Sequence, residues 1–198
     1  MYFNLRHSVA LTVLACAAFS VVPAANAKTF KWANSGDVSS MDPYARQETF
    51  LLTFTQNIYD PLVRRDKDLK LEPALAAKWG QTDKNTWFFD LREGVKFSDG
   101  TPFTADDVVF SLNRANGPGS NLGSNFTSVK EIMKAGDNRV EIITKYPDPL
   151  LDSKLANIGI MSKAWAEKNN AANAADMTKN EENYATRNAM GTGPFVLK

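Results

Sequence analysis

Polar and apolar residues follow two periods along this chain. Residues 86–92 alternate strictly. Trp87, Phe89 and Leu91 fall on one side and Phe88, Asp90 and Arg92 on the other, which predicts a strand with one buried face. Glu93-Gly94 is a tight turn, and Val95 and Phe97 continue the alternation on a predicted returning strand. A loop follows at residues 98–102. Thr104 is then placed to cap a helix, with Asp107 at the capping-box position, Asp106 and Asp107 in the first turn, and Val108, Val109 and Leu112 directed inward. That helix must stop before Gly117-Pro118-Gly119.

The helical period recurs at residues 47–59, where Phe50, Leu51, Phe54 and Ile58 share a stripe that Asp60-Pro61 ends. Pro73 and the alanines after it predict a short helix at residues 73–79. Strands are expected at 30–33, 129–135, 139–144, 158–161 and 195–197. Asp148 precedes a helix begun by Pro149, and Ser162 caps a helix containing Trp165. Residues 117–125 and 191–194 read as loops, and 169–183 as a surface helix or loop. Alternating strands and helices favour an α/β or α+β fold.

The first 27 residues stand apart. Arg6 and His7 precede an uncharged apolar run at 9–22, Pro23 breaks it, and Ala25-Asn26-Ala27 is a small-x-small cleavage pattern. The expected organisation is a signal peptide at 1–27 and a mature chain at 28–198. Cys16 is the single cysteine, and Val13-Leu14-Ala15-Cys16 faintly resembles a lipobox. Lipid anchoring there is the weaker reading, because it shortens the apolar core and leaves Ala25-Asn26-Ala27 without a purpose.

Net charge is +1 with both signs interspersed, so no nucleic-acid partner is expected. His7 is the only histidine. Once the signal is removed, Ser-His and Cys-His catalysis and the commonest zinc ligands go with it. Neither glycine-rich loop has phosphate-loop spacing. No metal and no cofactor are expected. The carboxylates Asp99, Asp106 and Asp107 read as turn and helix-start electrostatics rather than a calcium site. Trp87, Phe88, Phe89 and Phe97 read as core before they read as a ligand pocket. Gly191-Thr192-Gly193-Pro194-Phe195 is either a plain turn or a place of close backbone approach.

Four segments in order resemble one family, the extracytoplasmic solute-binding proteins of peptide-type ABC importers (solute-binding family 5). They are Met41-Asp42-Pro43 with residues 57–63, residues 71–79, residues 87–111, and Gly191-Thr192-Gly193-Pro194-Phe195. The resemblance implies a type II (class C) periplasmic-binding fold, with residues 28–198 forming an incomplete first lobe. It implies a monomeric periplasmic receptor that captures a small peptide or similar solute for an ABC permease in the inner membrane. Nickel complexes, oligosaccharides and opines are alternative solutes. A secreted hydrolase and a truncated nonfunctional fragment are the competing readings. Candidate ligand-facing residues are Arg46, Gln47, Glu48 and Thr49 after the Met41-Asp42-Pro43 turn, and Ser124, Asn125 and Phe126 in the long loop.

Overall fold

The computed structural model describes residues 36–197. The expected signal peptide, Cys16, His7 and the strand expected at 30–33 lie outside the described residues.

Strands β1 (Val63–Arg65) and β2 (Leu71–Pro73) pair as an antiparallel hairpin. The main sheet holds β3 (Ala76–Asp83), β4 (Thr86–Leu91), β5 (Val129–Gly136) and β6 (Arg139–Thr144) in the order β3-β4-β6-β5, each neighbour antiparallel. The alternation at 86–92 behaves as the period demands. Trp87, Phe89 and Leu91 are buried, and β6 sets Ile142 opposite Trp87 and Val140 opposite Phe89. On the other face Phe88 lies under the Arg139 guanidinium at 4.8 Å, and Arg139 pairs with Asp90.

Helix α1 spans Thr49–Thr55 and α2 spans Ala105–Asn116. Asp107 accepts the Thr104 backbone N–H at 2.8 Å and the Thr104 hydroxyl at 2.7 Å, so the expected cap forms. Two stripes of α2 are buried. Ala105, Val108, Leu112 and Ala115 join the hydrophobic core that includes Phe89, Val140 and Ile142 of the sheet. Asp107, Ser111 and Arg114 form a second, polar stripe that meets the segment after residue 160. Three short helices follow: α3 (Leu151–Leu155), α4 (Lys163–Lys168) and α5 (Tyr184–Arg187). Ser162 caps α4, its hydroxyl accepting from the Trp165 N–H. Residues 169–183 are loop, apart from a 3-10 turn at Met177–Lys179.

Five expectations need correction. Residues 73–79 are not a helix: Pro73 ends β2 opposite Val63, and the chain from Ala76 runs along β4. Alanine's helix preference is under about 1 kcal/mol per residue, which pairing and burial outweigh. Val95 and Phe97 form no returning strand, because both edges of β4 are already taken by β3 and β6; only Lys96 bridges to Pro102. Residues 158–161 are buried and make one isolated bridge, Pro61 to Gly159. Residues 195–197 are irregular, with the Phe195 N–H on the Asn57 carbonyl. The helix expected at 47–59 is shorter. Thr55 turns its hydroxyl back onto the Leu51 carbonyl, and the chain then tightens through Asn57 into Tyr59.

Asp148 does more than start a helix. It accepts the Leu150 N–H, the Ser128 hydroxyl and the Lys154 ammonium, the last at 2.6 Å. Burial alone lifts its pKa; Lys154 and Ser128 outweigh that and hold it below the ordinary carboxylate value. A depressed folded pKa contributes stability above the unfolded pKa of about 3.9, and the contribution fades as pH falls through the folded value. Asp148→Asn is therefore expected to cost about 1–3 kcal/mol at pH 7 in urea unfolding. The gap to wild type should narrow below about pH 4. A gap independent of pH would assign the cost to packing instead.

Candidate ligand-binding site

The segment carrying Arg46 to Thr49 starts from a fixed point. Asp42 is fully buried and forms a two-pronged ion pair with Arg114 of α2, Nη1 to Oδ1 at 2.8 Å and Nη2 to Oδ2 at 2.6 Å. Burial pulls the Arg114 pKa down, but the hydrogen bonds and charge of Asp42 more than offset it, so the guanidinium stays charged. Arg114 Nε donates to the Ala171 carbonyl and Nη2 also reaches the Asn173 carbonyl. The Tyr44 ring lies 5.1 Å from the guanidinium, and the Tyr44 hydroxyl donates to the Gly159 carbonyl at 2.7 Å. Burial pushes that hydroxyl's pKa well up, so it remains a donor.

The long loop docks beside this point. The Asn121 backbone N–H donates to the Tyr44 carbonyl at 2.9 Å, and its side-chain amide donates to the Ala45 carbonyl. The fold thus brings Tyr44 and Ala45, just before the first candidate segment, against Asn121, just before the second, although the sequence separates them by more than seventy positions. Gln47, Glu48 and Thr49 are exposed, and Arg46 is half-buried with its guanidinium 3.3 Å from Glu48. Across the docked loop, Ser124 is exposed and Asn125 half-buried on a 3-10 turn, Gly123–Phe126. Phe126 differs. Its ring is 2% exposed and packs in the main core, because the turn points every third residue inward. It is a core residue and does not belong with the exposed candidates.

The other sequence candidates are placed clearly. Asp99 holds the Thr101 hydroxyl and N–H within the 98–102 loop, Asp106 pairs with Lys134, and Asp107 caps α2. The three carboxylates serve separate structural ends. Trp87, Phe89 and Phe97 are core, and Phe88 is half-buried on the outer face of the sheet.

The glycine loop is a close crossing. The Gly193 N–H donates to the Ile58 carbonyl at 2.8 Å, the Gly191 carbonyl accepts from the Ser98 N–H, and the Thr192 hydroxyl donates to Asp60. A Cβ on Gly191 would stand 2.0 Å from the Ile58 carbonyl oxygen, and one on Gly193 would stand 2.7 Å from the Asn57 carbonyl oxygen. Both glycines are there because backbone passes over backbone. The sequence reading missed Asp42 and Arg114 as partners. The available signal was spacing: Arg114 lies seven residues after Asp107 and three after Ser111, on one helix face.

The family model described as bacterial extracellular solute-binding proteins, family 5 middle, matches residues 70–198. The periplasmic oligopeptide-binding protein OppA of Salmonella typhimurium is 34% identical over 113 residues, covering 55% of this chain and 21% of that protein. The glutathione-binding protein GsiB of Escherichia coli K12 is 32% identical over 166 residues, covering 81% of this chain and 31% of that protein. The binding protein AgaA of A. tumefaciens R10, solved with agropinic acid, superposes with a TM-score of 0.71 at 26% identity, over 82% of this chain and 32% of that one. The chain thus spans roughly a fifth to a third of the length of the relatives it matches. Over that span the fold is the type II periplasmic-binding fold.

Gly191→Ala and Gly193→Ala should each cost more than about 2 kcal/mol, because rigid backbone has to move to admit the methyl group. Gly123→Ala, with nothing within 4 Å of the added Cβ, serves as the control. It should change the urea midpoint little. Equal effects at all three positions would contradict the close crossing.

Proposed function

Because the chain belongs to the family 5 bacterial extracellular solute-binding proteins, we propose that it acts as the substrate-capturing component of an ABC importer. Its ligand is a peptide or comparably small solute, taken up outside the inner membrane and handed to a permease. The observation that carries this reading is the family match across residues 70–198. The names of relatives support the solute class: one binds oligopeptides, one glutathione and one agropinic acid.

The reading includes export through cleavage after Ala27 and work in the periplasm as a monomer. It includes no chemistry. Ser128 illustrates the point: its hydroxyl is buried and donates to Asp148, so it is held as a structural donor and not as a nucleophile. Capture falls to Arg46, Gln47, Glu48 and Thr49 on one side and Ser124 and Asn125 on the other. These residues offer charge and hydrogen bonds from two loops that Asn121 holds together. Specificity in such a receptor comes from binding that favours a closed arrangement of lobes.

The test is equilibrium dialysis of the purified chain against a mixed library of di- to pentapeptides, with mass spectrometry of what is retained. Intact peptides should be retained, and Gln47→Ala and Asn125→Ala should each lower retention by about three- to tenfold, the size of one or two lost hydrogen bonds. Accumulating hydrolysis products would overturn the reading, and so would retention indifferent to both substitutions.

A further inference from the structure

A cavity of about 370 Å3 opens along the stripe of α2 that points away from the sheet. Its volume is within the range of small-molecule sites, about 300–1,000 Å3. Val109 and Phe110 form one wall, and Pro118 and Ala172 close it. Three charged side chains also line it, Asp106, Arg114 and Lys163, beside the amide of Asn113.

Their partners differ. Asp106 is neutralised by Lys134 at 3.1 Å, and Lys134 lies outside the cavity. Arg114 is held by Asp42, also outside it, and has a side chain only 1% exposed. Lys163 is tied by its backbone, whose N–H donates to Asp107 at 2.9 Å. Among the described residues its half-exposed ammonium has Glu167 as its one ion-pair partner, at 4.0 Å, beyond hydrogen-bond reach. The cavity therefore joins apolar walls to a half-exposed ammonium that donates no hydrogen bond to another described residue. None of the six residues offered above for peptide capture lines it.

We propose that this cavity is a separate binding site for a small organic anion with a flat apolar body, an aryl carboxylate in chemical class. The Lys163 ammonium takes the carboxylate, and Val109 and Phe110 take the ring. Asn113 adds a donor: one side-chain N–H is engaged with the Val109 carbonyl, and the second is left for the carboxylate. A ligand seated here touches α2, the start of α4 and the 172–173 segment at once, so binding stabilises the lobe by mass action.

Sodium benzoate and benzamide are the probes, since they share shape and differ in charge. Titration calorimetry and thermal unfolding of the purified chain are the readouts. Benzoate should bind saturably and raise the midpoint, with benzamide at least about tenfold weaker. Lys163→Met should bring benzoate down to the level of benzamide. Val109→Trp should fill the cavity and abolish both. Lys67→Met, at an exposed position outside the cavity lining, should leave benzoate binding unchanged. Equal binding of the two probes overturns the proposal. So does benzoate binding that survives Lys163→Met, or a lack of saturable binding up to about 50 mM.

Discussion

The described residues are organised around a buried charge pair. Asp42 and Arg114 lie 72 residues apart in sequence and meet at 2.6 Å with almost no solvent contact. Taking two ions out of water costs several kcal/mol each, and their attraction repays this only when the remaining donors and acceptors are satisfied. Here they are. The guanidinium also reaches the Ala171 and Asn173 carbonyls, and Asp42 Oδ1 accepts the Tyr44 N–H. The backbone N–H of Asp42 in turn donates to Ser40. One contact thereby fixes the turn before α1, the end of α2 and the loop after α4. Tyr44 and Asn121 extend that fixed point to Gly159 and to the long loop.

Helix α2 makes this economical. Its apolar stripe packs in the core with the sheet, as Val108 and Leu112 predict. Its polar stripe receives backbone from an irregular segment that forms no ladder of its own. Asp107 takes the Lys163 N–H, Ser111 exchanges two hydrogen bonds with Met161, and Arg114 takes two carbonyls. A connection with few regular hydrogen bonds is satisfied by side chains instead. The loops that carry the proposed capture residues then sit on a rigid base, the arrangement that binding surfaces use.

The legibility of the sequence follows the range of the forces. Elements set by local chemistry were readable: the alternation of β4, the capped start of α2, the hairpin of β5 and β6, and the Ser162 cap of α4. Elements decided by distant partners were not. Residues 73–79 carry helix-favouring alanines, yet Pro73 ends β2 and β4 recruits the chain from Ala76 as β3. Val95 and Phe97 alternate correctly and still find no free strand edge. Asp42 read as a turn former, and nothing local shows that its carboxylate meets Arg114. For the site, the two candidate loops were named from a resemblance, and the Asn121 bonds to Tyr44 and Ala45 came only from the fold. Phe126 was named with its loop from that resemblance, whereas the 3-10 turn buries its ring in the core.

The Asp42–Arg114 pair couples these elements rather than merely filling space. A double-mutant cycle in urea unfolding tests it, with Asp42→Asn, Arg114→Met and the double variant. Each single change should cost about 3–5 kcal/mol by stranding a buried charge. The double should cost less than the sum by more than about 1.5 kcal/mol. Single costs below about 1 kcal/mol, or strictly additive costs, would contradict the account.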